Sequence, residues 1–283
     1  MISRIKNSLA YRLPRIYEML LPLKSFKTEK RAGLDLNVIM MTGMNHINLS
    51  RASVLSIAKT WKRLPRLTII SDGSMNVELL QKKFAFWRGE LNLEHWKETE
   101  AYHAGKTALL NYAAINPFGK KMAIILRFAS LYPIIWIDSD ILFFKDFTQY
   151  IPANSIGDVL GGMGDWRAAY DDRLLKLFNN DLHQLKKFNA GLIYASGSNF
   201  YEKYGLEAKL SAIHPKYDFL SEQTIFAQIA SESLGVIWDE TIIGNHAKDT
   251  LSLTPTSEDH LVGRHYTSDI RQLFWRDAFL KSW

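Results

Sequence analysis

The chain contains no cysteine. That excludes disulfides, thiolate metal sites and a cysteine nucleophile, and it fits a reducing compartment. No apolar run approaches the roughly 18–20 residues that span a bilayer. The first residues lack both a continuous apolar stretch and a small-residue cleavage site, so no secretory signal is expected. Internal repeats, low-complexity tracts and long polar linkers are also missing. A cytoplasmic location follows as the expectation, with peripheral contact at a membrane surface left open.

A surplus of charge is missing from most of the chain as well. The formal net charge is +6. Residues 1–31 hold Arg4, Lys6, Arg12, Arg15, Lys24, Lys27, Lys30 and Arg31 against Glu18 and Glu29, which accounts for all of it. The remainder is balanced, so its body is not that of a nucleic-acid binder. Ile2, Ile5, Leu9, Leu13, Ile16, Tyr17 and Leu20 recur at steps of three and four, an amphipathic helical pattern interrupted by Pro14. Such a basic segment either lies on an anionic membrane surface or packs on the domain with solvated lysines. The expected organisation is a basic amphipathic extension over residues 1–34 and one domain over residues 35–283.

What is present is an ordinary core: 283 residues, 47% of them apolar, enough for a single large α/β domain. Leu36 to Met41 reads as a first strand, followed by the loop Thr42-Gly43-Met44-Asn45. Ser50 is expected to cap a helix reaching about Trp61. Leu67 to Ser71 reads as a second strand, broken by Asp72-Gly73-Ser74, and a helix is expected from Asn76 to Trp87. This alternation favours a parallel sheet with crossover helices. Leu91 to Thr107 shows no clear period. Asn116 before Pro117 signals the start of a helix running to about Ser130. Later strands are expected at Gly157 to Gly164, Phe188 to Ala195, Leu234 to Trp238 and His260 to Tyr266. Helices are expected at Arg173 to Phe178, Glu222 to Ala230 and Ile270 to Leu280.

The most informative stretch is Ile134 to Phe144. A fully apolar strand, Ile134 to Ile137, ends in Asp138-Ser139-Asp140, and a second apolar run follows at once. Two carboxylates between buried strands are unfavourable unless a cation joins them. In extended chain, residues i and i+2 point to the same side. Asp138 and Asp140 can therefore aim oxygens at one point, with Ser139 keeping the turn slim. Hard divalent cations such as Mg²⁺ or Mn²⁺ take such ligands and keep substrate phosphates as further ones. Open α/β sheets bind ligands at the carboxyl ends of their strands. Asn189-Ala190-Gly191 offers small residues where a ligand can approach backbone. Glu222-Gln223 stands at a helix start. His265 offers an imidazole as a third metal ligand. Each also has a structural use: a turn carboxylate, a helix cap or a hydrogen-bonded core histidine.

Taken in order, Asp138-Ser139-Asp140, Asp165, Phe188-Asn189-Ala190-Gly191, Glu222-Gln223 and His265-Tyr266-Thr267 resemble the retaining family-8 glycosyltransferases, which include glycogenin and the lipopolysaccharide galactosyltransferases. The resemblance runs from about Asn37 to the end and is strongest between Lys121 and Tyr266. It implies the GT-A fold, a Rossmann-like, mixed but mostly parallel sheet flanked by helices. It also implies a nucleotide-diphosphate sugar donor, a UDP-sugar by preference, and a glycan, lipid-linked or other acceptor.

By the same resemblance, Asp138, Asp140 and His265 hold Mn²⁺ or Mg²⁺, and Lys121 lies near the diphosphate. Asp165 and Asn189 bond the donor sugar, beside Ala190 and Gly191. Gln223 and Glu222 lie nearest the reacting carbon, Glu222 as a transient nucleophile, and no general base is assigned. Thr42, Gly43 and Asp72 sit in loops that bind the nucleoside.

The chain departs from the family in three places. Glu222 stands where many members have aspartate. The first-strand loop lacks an acidic residue. No Gly-Pro-x-Lys-Pro run follows the histidine, which leaves Arg264, Arg271 or Lys248 as the phosphate cation. Two other readings remain. A catalytically idle GT-A domain would bind sugars or act as a scaffold. A haloacid-dehalogenase-type phosphatase also uses Asp-x-Asp, but near its N-terminus and with a small or β-branched residue where this chain has Leu142.

Overall fold

The structure is a computed structural model that describes residues 14–24, 26–152, 157–179, 186–233, 235–245, 260–267 and 270–281. Ile2, Ile5, Leu9, Leu13 and Lys248 lie outside the described residues. The chain opens on helix α1 (Pro14–Leu20), continued by a 3-10 turn at Leu21–Leu23. It then runs through β1 (Gly33–Thr42), α2 (Ile47–Thr60), β2 (Leu64–Ser71), α3 (Val77–Phe84) and β3 (Leu91–His95). Three helices follow, α4 (Trp96–Tyr102), α5 (Thr107–Ile115) and α6 (Pro117–Ala129), and lead into β4 (Ile134–Ile137) and β5 (Ile141–Phe143). Next come β6 (Val159–Gly164), α7 (Asp172–Leu177), β7 (Phe188–Ser196), α8 (Phe200–Lys203), α9 (Leu206–Ile213) and α10 (Ser221–Glu232). The short strands β8 (Ile237–Trp238), β9 (Ile243–Gly244) and β10 (Gly263–His265) precede the last helix, α11 (Arg271–Leu280).

The main sheet has seven strands in the order β3-β2-β1-β4-β7-β6-β8. β7 runs against both of its neighbours, and every other pairing in the sheet is parallel. The carboxyl ends of β1, β2, β4 and β6 therefore share one edge, and the reversed β7 begins at that same edge. This is the mixed, mostly parallel α/β sheet expected from the strand–helix alternation.

β4 explains why its sequence is apolar throughout. Ile134 and Trp136 pack on one face against α6 residues such as Ile125 and Phe128. Ile135 and Ile137 pack on the other against Val54 and Ile57 of α2. A strand covered on both faces has no solvated side to supply a polar alternation. The helix after Asn116 forms as read: the Asn116 side chain accepts from Phe118 N, and Pro117 occupies the first turn.

Some boundaries differ from the sequence reading for identifiable reasons. Ser50 is not a cap. α2 starts a turn earlier, and the Ser50 hydroxyl donates to Thr42 Oγ1 at 2.7 Å inside the buried face. The aperiodic stretch after Leu91 holds β3 and α4. All five β3 residues are half-buried, as befits an edge strand with no strongly apolar face. The strand expected from Leu234 is only two residues long.

A second sheet of three strands, β5-β10-β9, fixes the site. β10 pairs antiparallel with β5 so that His265 faces Ile141. Tyr266 N donates to Asp140 O at 2.9 Å, which extends the pairing into the acidic turn. An imidazole distant in sequence is thereby held beside the two acids by backbone register.

Candidate metal and donor site

The ladder between β4 and β7 ends where Asp138 N donates to Gly191 O, at 2.8 Å. There the chain turns through Ser139, which is half-buried, and enters β5 after Asp140. Asp138 Oδ1 accepts from the indole of Trp136, at 2.7 Å, so a neighbour on the same strand orients the first acid. Asp140 is buried, and its Oδ2 accepts two bonds from Arg271, Nε at 3.0 Å and Nη2 at 2.7 Å. Its other oxygen lies 3.2 Å from His265 Nε2, which is 4.0 Å from Asp138 Oδ2.

One ligand atom each from Asp138, Asp140 and His265 lies within 4.8 Å of the other two. Ligand atoms about 2.1 Å from an octahedral ion are separated by about 3 Å at right angles and about 4 Å when opposed. The donor set, two carboxylates and an imidazole, suits Mn²⁺ or Mg²⁺. The three residues thus fit a divalent ion on both chemistry and spacing.

Gly191 makes this approach possible. A Cβ built there would lie 2.4 Å from His265 Cε1 and 2.6 Å from Nδ1. Glycine is required here for space, since the imidazole rests on the strand backbone. Burial disfavours the imidazolium, but the charges of Asp140 and Asp138 together outweigh it and raise the His265 pKa. Burial likewise opposes ionisation of Asp140, and His265 and Arg271 overcome it, holding that carboxyl below its ordinary range.

Lys121, on α6, closes the buried side. Its Nζ donates to Ala190 O at 2.6 Å and lies 3.2 Å from both Asp138 Oδ1 and Glu222 Oε1. Burial alone would lower its pKa, but the two acids raise it, so the lysine stays charged. Glu222 is 1% exposed. Burial, reinforced by the Asp138 charge and countered by Lys121, pushes its pKa up to about 7.

That value has a definite sign. The folded state favours protonated Glu222, so its contribution is most favourable below the ordinary value of 4.5 and is lost as pH rises through about 7. Glu222→Gln removes this titration. The stability of the variant relative to the parent should rise by about 3 kcal/mol between pH 4.5 and about pH 8. Urea unfolding at the two pH values measures it, and a difference that stays constant or falls contradicts the buried acid.

Gln223 is held at both ends of its amide, Nε2 donating to Ala169 O at 2.9 Å and Oε1 accepting from Ala190 N at 3.4 Å. Asn189 Nδ2 donates to Asp165 Oδ2 at 3.1 Å, and Asn189 Oδ1 accepts from Gly191 N at 2.9 Å. Asn245 adds a third member, its Nδ2 reaching Gly164 O at 3.2 Å and Asp165 Oδ1 at 3.3 Å.

Thr42, Gly43 and Asp72 line a cavity of about 300 Å³ at the carboxyl ends of β1 and β2, with His46, Asn116 and Lys120. The Asp72 carboxylate lies over Gly43: a Cβ there would be 2.0 Å from Asp72 Oδ2. Lys120 Nζ donates to Asp72 O at 3.1 Å and so ties α6 to this cavity.

The structure therefore brings together Asp138, Asp140, His265, Lys121, Glu222, Gln223, Ala190 and Gly191, with Asp165 and Asn189 adjoining. Two of the three expected phosphate cations, Arg264 and Arg271, lie among the described residues. Arg264 is buried, whereas Arg271 stands half-exposed on Asp140. Asp171 is buried, capping α7 and bonding Arg173 and Ser221. The bond from Trp136 to Asp138 and the place of Asn245 were not read from the sequence. Trp136 could have been found from its i−2 spacing to Asp138; nothing local marks Asn245.

The sheet has the GT-A fold found in solved glycosyltransferase structures. Mouse xyloside xylosyltransferase 1 superposes with a TM-score of 0.57 at 12% identity, over 84% of this chain and 99% of that one. The galactosyltransferase LgtC, solved with donor and acceptor sugar analogues, gives 0.56 at 10% identity, over 86% and 96%. The glycosyltransferase GlyE of Streptococcus pneumoniae gives 0.54 at 11% identity, over 89% of this chain and 61% of that one. No family model matches the sequence, nor does any curated protein. At these identities the likeness establishes the fold.

Proposed function

We propose that this chain is a metal-dependent glycosyltransferase, moving a sugar from a nucleotide-diphosphate donor to a glycan, lipid-linked or other acceptor with retention of configuration. A UDP-sugar is the expected donor. The observation that carries this reading is the convergence of Asp138 Oδ2, Asp140 Oδ1 and His265 Nε2 at the carboxyl edge of a GT-A sheet. Mn²⁺ or Mg²⁺ held there supplies Lewis-acid charge against that growing on a departing diphosphate.

The chain's own residues divide the remaining work. Arg271 adds a fixed cation on the solvent side of Asp140. Lys121 adds one from the buried side, held in place by Ala190 O, Asp138 and Glu222. Asp165 and Asn189 present paired acceptors and donors to sugar hydroxyls, kept in register by Asn245. Gln223 offers its amide beside Ala190, where a sugar carbon gaining positive charge is met by an oxygen dipole. Glu222, behind Lys121, acts by orienting that ammonium. Its burial favours a front-face route, in which the leaving phosphate accepts the acceptor's proton, over a covalent one.

A panel of nucleotide sugars, assayed for released nucleoside diphosphate with and without Mn²⁺, tests the reading. One donor should turn over, and only with the metal. Metal-dependent binding without turnover on any acceptor would mark an idle sugar-binding subunit. Hydrolysis of simple phosphomonoesters in its place would mark a phosphatase.

A further inference from the structure

The N-terminal helix has two unlike faces. Tyr17 packs its ring 5.5 Å from Phe279 of α11, and Leu21 is buried in the cluster that includes Leu273, Phe274 and Ala278. Lys24 Nζ lies 5.2 Å over the Phe279 ring and completes the attachment. On the other face, Ile16 is 49% exposed, Met19 79% and Leu23 79%. Their steps of three and four place them along one line, which continues from α1 into the 3-10 turn.

We infer that this ridge docks on an anionic phospholipid surface. Charge complementarity argues for that occupant. The whole +6 surplus of the protein lies in residues 1–31, which bracket the ridge with basic residues on both sides in sequence. Arg12 and Arg15 precede it, and Lys27 and Lys30, both exposed, follow. Interfacial insertion needs this combination: apolar side chains reaching the acyl boundary, with Lys and Arg among the headgroups. A protein partner fits less well. A specific interface buries about 800 Å² per side, more than a ridge one helix wide presents.

Attachment to α11 gives docking a consequence. Arg271, the first residue of that helix, bonds Asp140, and Phe279 follows eight residues later, about 12 Å along the axis. A docked ridge holds the acidic cleft at a fixed, short distance from the lipid. The inference does not depend on the proposed chemistry.

Flotation of the full chain with vesicles tests it. Binding to phosphatidylcholine containing phosphatidylglycerol should exceed binding to pure phosphatidylcholine by roughly tenfold or more and should fall in high salt. Met19→Glu/Leu23→Glu, changed only at exposed positions, should lose roughly tenfold while keeping its circular dichroism and donor turnover. Wild-type binding by that variant, or no preference for the anionic vesicles, overturns the inference. So does a wild-type dimer in light scattering that the variant dissolves, since a second copy would then cover the ridge.

Discussion

Asp140→Ala is expected to lower metal-dependent turnover of the donor by on the order of a thousandfold or more. Three independent features of Asp140 set that size. It is one of only two carboxylates in the ligand triad. It anchors Arg271 through two hydrogen bonds, so the variant also frees the cation on the solvent side. It is the nearest partner of His265, at 3.2 Å, and what keeps that imidazole pointing at the shared position. Removing one member of a buried charge cluster typically destabilises by about 3–5 kcal/mol, and the half-exposed Arg271 reduces that here. Circular dichroism and melting then separate lost chemistry from lost fold. The backbone bond from Tyr266 N to Asp140 O survives any substitution at 140, so β5 and β10 should remain paired. A folded variant with ordinary turnover would remove Asp140 from the mechanism.

Gly191→Ala is the second large effect, achieved with one methyl group and no change of charge. The added carbon would stand 2.4 Å from the His265 ring. The ring has no easy retreat. His265 is 6% exposed, and its backbone is fixed by the β5–β10 ladder. Gly191 cannot easily retreat either, since its carbonyl accepts from Asp138 N and its amide donates to Asn189 Oδ1. Overpacking of this kind destabilises by about 1–3 kcal/mol. The imidazole tilts off the triad, and Mn²⁺ affinity should fall by roughly a hundredfold or more. Titration of Mn²⁺ followed by electron paramagnetic resonance reads the affinity, and melting without metal reads the strain. An alanine variant that binds Mn²⁺ like the parent would show that His265 is not a ligand.

The acids were legible because burial is written into sequence. Four consecutive apolar residues followed by Asp138 and Asp140 require a strand end that tolerates charge. Asn189-Ala190-Gly191 was legible as small residues in a strand, although the reason for Gly191 is a ring 74 positions away, which only the fold reveals. The same limit applied to the late cation. Arg264 and Arg271 are chemically equal in a sequence. The strand register turns Arg264 into the core, and the start of α11 puts Arg271 on Asp140. Lys121 was legible as a basic residue seventeen positions before Asp138, but its burial between Asp138 and Glu222 was not. β3 was hidden because an edge strand with half-buried residues has no strong period.

The direct measurement is the position of the metal. A crystal grown with Mn²⁺ and a nucleoside diphosphate, with anomalous scattering recorded at the manganese edge, should show one strong peak. Oxygen atoms of Asp138 and Asp140 and a nitrogen of His265 should each lie about 2.0–2.3 Å from it. A peak elsewhere, or none while Arg271 still spans to Asp140 beside a bound nucleotide, would contradict the account.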